Sequence, residues 1–366
     1  MKQTVKSKKF LKYLLLLFSF FALILFTINA LIINQQDIGK KSSKHAIHPS
    51  SLFHRFSFSS KGKIGYFNVL GQVVIKPIFD NAGEFSEGLA WVKLDGKYGY
   101  IDIQGNLVIT PQYDYATNFS EGIASIQQNN KKGYINRTGE IIISPVFDEA
   151  HAFSDGFANI KYKGKLNYIN KAGKLLLSSY GDKDYYELED ILPFHDGLAG
   201  VKISNKWGYI NKEGKIIIPT QFDIVSSFHE GLASIGIRER YGYINKNGNI
   251  VISPNYYYAG NFNEGLAPVR NNTYKFSYID KSGKEIIPYK YDDADSFSEG
   301  LASVSIGNNW GYPRGYIDKS GKMVIQAQFT HALNFKNGLA PVITTDFWGS
   351  KSGYIDREGK FVFDSN

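Results

Sequence analysis

The chain has 366 residues, of which 15% are aromatic, 36 are glycine and none is cysteine, with 42 basic against 34 acidic side chains. The absence of cysteine excludes a disulfide-stapled scaffold. Eight lysines and one acid fall within residues 1–44, leaving 34 basic and 33 acidic residues for the remainder. The pI of about 9.1 therefore reports the N-terminus, and no nucleic-acid partner is expected.

Residues 1–12 form a lysine-rich start, expected to be cytoplasmic. Residues 13–33 carry no charged side chain, and 21 helical residues at ~1.5 Å each span ~30 Å, the thickness of a bilayer core. Five lysines precede this run, so a single transmembrane helix is expected with the N-terminus inside and the rest outside the cytoplasm. A cleaved secretory signal, giving a secreted protein, is the alternative; the run is longer than a usual h-region and offers only Ile28-Asn29-Ala30 as a cleavage site. Residues 34–52 are polar, without helical or alternating pattern, and read as a linker.

From residue 53 to the end the chain is a tandem array. Gly88, Gly122, Gly156, Gly197, Gly231, Gly265, Gly300 and Gly338 each follow Glu, Asp or Asn, at spacings of 34, 34, 41, 34, 34, 35 and 38 residues. A second marker keeps step: Gly65-Tyr66-Phe67, Gly99-Tyr100-Ile101, Gly133-Tyr134-Ile135, Asn167-Tyr168-Ile169, Gly208-Tyr209-Ile210, Gly242-Tyr243-Ile244, Ser277-Tyr278-Ile279, Gly315-Tyr316-Ile317 and Gly353-Tyr354-Ile355. Nine units result, each too small to bury a core alone.

The unit containing Gly88 shows three strand-like runs separated by two turns. Asp95-Gly96 suits a tight hairpin; Asp102, three residues before Gly105, suits a type I turn whose side chain accepts a local hydrogen bond. Each unit is thus expected to be a three-stranded β-meander, ended by a proline (Pro77, Pro111, Pro145, Pro219, Pro254, Pro288) that cannot donate to a ladder. Recurrent aromatics such as Phe85, Phe119 and Phe153 are expected to fill the space between neighbouring meanders. The fold class is all-β, an open β-solenoid or a propeller-like array; the whole meanders at both ends favour the open form, because a ring is often sealed by a unit built from both termini.

The stretch Lys206-Trp207-Gly208-Tyr209-Ile210-Asn211-Lys212-Glu213-Gly214-Lys215, followed by Ile216 to Pro219, Phe222-Asp223 and Glu230-Gly231-Leu232-Ala233, resembles the WG (KWG) repeat family, and the likeness runs from about residue 64 to 363. The Trp-Gly pair stands in register only at Trp207. The resemblance implies a β-rich binding module in a bacterial protein and brings no catalytic residue.

The period breaks in three places, and insertions in repeat proteins often form the binding face. The first holds Asp182, Asp184, Glu187, Glu189 and Asp190 among Tyr180, Tyr185 and Tyr186; without an alternating Asp-x-Asp-x-Asp-Gly spacing it is expected to be a solvated acidic loop or a partner contact and not a metal site. The others lengthen one hairpin turn in the last two units and place Trp310, Tyr312 and Arg314, and Phe347 and Trp348, as candidate partner anchors. No catalytic set, cofactor motif or metal-ligand cluster is recognised, and His195 and His229 occupy a position held elsewhere by Ser86, Ser120 and Ser154. The expected function is a membrane-tethered, exported, non-catalytic module binding a protein or envelope polysaccharide. A surface spacer or adhesin is the alternative, and a cell-wall hydrolase is less favoured.

Overall fold

The computed structural model describes residues 49–177, 187–307, 313–346 and 349–365. The expected transmembrane helix and most of the linker lie outside these residues; among the described residues no helix is long and apolar enough to cross a membrane. Among the described residues a 3₁₀ turn, Pro49–Phe53, precedes a succession of nine antiparallel sheets.

The second sheet is representative. Leu89–Leu94, Lys97–Asp102 and Leu107–Tyr113 form the expected meander, with hairpin register Trp91↔Tyr100 and Lys93↔Tyr98. Asp95 and Gly96 take φ of 49° and 80° at the hairpin tip, the left-handed pair a two-residue turn requires. At the other turn the Asp102 carboxylate accepts from the Gln104 and Asn106 amides, both at 2.9 Å.

Two local expectations are corrected. Among the described residues the first and fourth sheets have three strands, but the other seven have four: in the second, a two-residue strand, Asn81–Ala82, pairs with Lys93 and Val92. Nor does proline end the third strand. Pro111 lies inside Leu107–Tyr113, at a register shift, and pairing resumes beyond it at Tyr98↔Tyr113. A bulge on an edge strand accommodates the missing donor.

That bulge explains the glycine of each Gly-Tyr-Ile marker. A Cβ on Gly133 would stand 2.6 Å from Ile143 O and from Pro145 N, so the third strand closes directly over the glycine backbone. Asn167 solves the same problem differently. Its side chain accepts from Leu177 N at 3.0 Å and donates to Leu177 O at 2.7 Å, standing in for strand pairing in the fourth sheet, where the insertion begins.

The tyrosine of the marker joins one sheet to the next. Tyr66, Tyr100, Tyr134, Tyr168, Tyr209, Tyr243, Tyr278 and Tyr316 donate their hydroxyls to backbone carbonyls of the following sheet at 2.7–2.9 Å. Each ring also meets the recurrent phenylalanine of that sheet, for example Tyr100–Phe119 at 4.8 Å and Tyr134–Phe153 at 5.0 Å between centroids. Such pairs contribute roughly 0.5–1.5 kcal/mol beyond the area they bury. Burial pushes these phenols well above their ordinary value, so they stay neutral donors.

The ninth tyrosine closes the array. Tyr354 OH donates to Ser57 O at 3.3 Å, and Phe363 stacks on Phe67 with centroids 4.2 Å apart and planes 8° from parallel. Phe56, Phe67 and Leu339 share one buried cluster, with Val362 and Phe363 packed against it. The expectation of an open array is therefore corrected to a propeller-like ring. Closure uses side-chain packing between two whole meanders, so the wholeness of the terminal meanders carried no information about it.

Candidate functional site

Sites on such a ring must use groups that its own repeats leave free. The recurrent acids are not free. Glu87, Glu121, Asp155, Asp196, Glu230, Glu264 and Glu299 have φ of 52–55° and precede a glycine with positive φ, forming type I′ turns. Each carboxylate accepts from a backbone N–H in the next sheet's turn: Glu87 from Gly122 at 2.9 Å, Asp155 from Gly197 at 2.7 Å, Asp196 from Gly231 at 2.9 Å. Lys171, Lys281 and Lys319 pair with Glu121, Glu230 and Glu264, each at 3.0 Å. These acids thus bind one turn to the next.

The aspartates that follow the aromatic end of the third strand, as in Phe79-Asp80 and Tyr113-Asp114, are engaged as well. Lys63–Asp80, Lys97–Asp114, Lys131–Asp148, Lys206–Asp223 and Lys275–Asp292 are ion pairs of 2.5–2.6 Å. The second oxygen of Asp80 accepts from Asp95 N at 3.0 Å, and that of Asp223 from Arg238 N at 2.7 Å. Hydrogen bonding to the lysine holds Asp80, Asp114, Asp148 and Asp223 below the usual carboxylate range.

Of the residues singled out in the insertions, Asp182, Asp184, Tyr185, Tyr186, Trp310, Tyr312, Phe347 and Trp348 lie outside the described residues. Arg314 is described, and it is not a loop residue: it opens the strand Arg314–Asp318 opposite Phe329, in the repeat position that Trp207 holds opposite Phe222. Only 14% of its side chain is exposed. Nη1 meets Asp293 at 2.5 Å, Nη2 meets Asp295, and Nε donates to Ser303 Oγ at 2.8 Å. Burial pushes the Asp295 carboxyl up, against the pull of Arg314. Arg314 therefore fixes its own sheet.

The seam between the ninth and first sheets differs from the other junctions. By register, Phe53 and His54 stand where the acid and glycine of the turn stand in the second sheet, and Lys336 stands at the Ser86 position. Without that turn in the first sheet, Lys336 reaches across to pair with Glu84 of the second sheet, both side chains being more than 60% exposed. Two adjoining cavities of about 410 and 430 Å³ open here. Arg55, Phe85, Lys336 and Asn337 line the first, Phe58, His331 and Phe363 the second, and Ser57 and Tyr354 both. Sequence reasoning missed this site, although the lack of the acid-glycine turn in the first unit was a visible signal. Among the described residues no group of His, Asp or Glu side chains is disposed to hold a metal ion.

Sheets of three or four strands, stapled in sequence and closed end to end, define a propeller-like repeat module. The family model described as "WG containing repeat" matches residues 64–98, 98–131, 133–165, 186–207, 207–238, 241–273, 276–310 and 315–344, more than half of the chain. The chain belongs to that family. No curated protein matches it in sequence. Among solved structures it is similar to a eukaryotic initiation factor, with a TM-score of 0.60 and 12% identity over 85% of this chain and 96% of that one. It is also similar to BamB from Moraxella catarrhalis, with a TM-score of 0.43 and 8% identity over 74% of this chain and 94% of that one. At 12% identity the likeness to the initiation factor concerns fold alone.

Proposed function

We propose that this ring is a non-catalytic binding module, exported and tethered to the membrane by residues 13–33, that holds a protein or an envelope polysaccharide. The observation that carries the reading is the distribution of polar groups. The periodic acids, lysines and tyrosines are consumed in joining sheet to sheet, so ligand contacts fall to places where the period breaks. The described break is the seam, with its exposed Lys336–Glu84 pair beside cavities lined by Phe85 and Tyr354. The lengthened hairpins carrying Trp310, Tyr312, Phe347 and Trp348, and the acidic insertion, are further candidates.

A hydrolase would need an acid pair free to act, and the recurrent carboxylates serve as turn caps. A spacer whose reach grows with unit number fits a ring poorly, because the Tyr354–Ser57 bond and the Phe67–Phe363 stack fix the number of sheets. The test is retention of envelope components by the full chain, compared with Glu84→Ala/Lys336→Ala and with Trp310→Ala/Trp348→Ala. Specific retention lost in either variant supports the module. No component retained by the unaltered chain would overturn it.

A further inference from the structure

The periodic lysine–aspartate pair is missing at more than one described junction: Pro313 and Thr330 stand in its place between the eighth and ninth sheets, whereas between the sixth and seventh it gives way to a cation on an aromatic ring. Where Lys206–Asp223 and Lys275–Asp292 stand on either side, this junction has Arg240 and Tyr257. The Arg240 guanidinium lies 3.5 Å from the Tyr257 ring centroid, and Nη2 donates to the Tyr257 hydroxyl at 2.7 Å. A lysine neutralised by a carboxylate has thus become an arginine on a neutral ring. Its other N–H groups remain available at the guanidinium edge, since a stacked guanidinium keeps its in-plane donors.

A second arginine lies next to it. Arg270 sits 5.7 Å from the centroids of Tyr274 and Phe276, and its Nε is buried without a hydrogen-bond partner. Among the described residues no carboxylate forms an ion pair with Arg240 or Arg270, in contrast to Arg314 with its two aspartates. Tyr257 and Tyr274 stand between the two arginines with ring centroids 6.4 Å apart. Tyr274 is 68% exposed and is held at a φ of 60°, a conformation uncommon for a bulky residue. Tyr258, the cross-strand partner of Arg270, borders a cavity of about 360 Å³ whose walls mix Tyr241, Ile224 and Val225 with Ser226 and Asn261.

We propose that the Arg240–Tyr257–Tyr274–Arg270 array binds an anionic polysaccharide. The two guanidinium groups take carboxylate or phosphate substituents, and the tyrosine faces take the C–H faces of the sugar rings. Two guanidinium groups without carboxylate partners recognise acidic charge in general, while the exposed flat ring of Tyr274 favours the face of a sugar over a polypeptide. The assignment rests on the binding-module reading and narrows it to one ligand class and one junction.

The test uses the full chain with four probes: polygalacturonate for carboxylate, a phosphate-substituted mannan for phosphate, dextran as the neutral polymer and polyglutamate as the acidic polypeptide. Tyr257→Asp restores the periodic pair and neutralises Arg240 on a surface that elsewhere carries aspartate, and Tyr274→Ala removes an exposed ring. Binding of at least one anionic polysaccharide is expected, stronger than dextran or polyglutamate. Tyr257→Asp should weaken it about tenfold or more, the loss of one charge-assisted contact, and Tyr274→Ala should weaken it by a smaller factor. Whichever polysaccharide binds identifies the anionic group. Three results would overturn the assignment: neither polysaccharide binds, both variants bind like the unaltered chain, or polyglutamate binds as well and Tyr274→Ala changes nothing. If Tyr257→Asp still retains envelope components in extract, the binding module stands and only this site fails; if the unaltered chain retains none, both fall.

Discussion

Replacing Gly133 by alanine asks whether the repeat's glycine is demanded by backbone contact. The added Cβ would lie 2.6 Å from Ile143 O and Pro145 N and 2.8 Å from Pro145 Cα, all atoms of a paired strand. These separations fall roughly 1 Å short of ordinary van der Waals contact, so the edge strand must move off its partner. Overpacking costs typically about 1–3 kcal/mol, and displaced backbone hydrogen bonds add to it, giving about 3 kcal/mol or more. Gly122, in the same sheet, is the control: its φ is 84° but a Cβ there meets nothing within 4 Å, so alanine costs only the left-handed strain of ~1–2 kcal/mol. Ser277 holds the corresponding place in the seventh sheet, so a whole repeat can be built around a small side chain; Gly133 lies in one built around none. Urea unfolding of the full chain, followed by fluorescence, gives both changes on one scale. A cost for Gly133→Ala no greater than that for Gly122→Ala would refute the argument and make the accommodation at Ser277 general.

Tyr243→Phe leaves Gly260 O without its 2.7 Å donor in a buried junction, and a loss of about 1–3 kcal/mol is expected by urea titration; Tyr354→Phe, with a 3.3 Å bond, should lose less. His229 faces His195 at 4.5 Å between centroids, and burial, helped by that neighbour, pulls it below its ordinary value of 6.5. The unfolded chain therefore takes up a proton first as pH falls through 6.5, and the ring loses stability below that pH while being unaffected above it. His229→Ser, the residue at Ser86 and Ser120, should reduce the difference between urea midpoints at pH 8 and pH 5; an unchanged difference would count against this. Glu121→Gln should cost under ~1 kcal/mol and leave any ligand retention intact, since the carboxylate only caps a partly exposed turn beside Lys171.

Much of the ring could be read from the sequence because its physics is local. The Asp95-Gly96 hairpin, the Asp102 turn and the Phe119 plug each follow from residues at fixed spacing. The two-residue strand Asn81–Ala82 was illegible, since two residues are too few to show alternation, and the bulge at Pro111 was misread because proline was judged on the ladder alone. Closure was illegible for another reason: Tyr354 and Phe363 look like any other repeat residues until Ser57 and Phe67 are seen against them. At the candidate sites, Arg314 read as a loop residue because the insertion hid its register with Trp207. The Arg240–Tyr257 exchange stood out only once the aspartates it replaces were seen to be paired.

Because the chain has no cysteine, Glu84→Cys/Lys336→Cys provides a single pair of thiols, 252 residues apart, across the exposed seam. A short bifunctional maleimide should join them within one chain at low protein concentration, giving a faster-migrating species under denaturing electrophoresis. Failure of intramolecular joining, with each cysteine still reactive singly, would show that the ends do not meet and would contradict the closed ring.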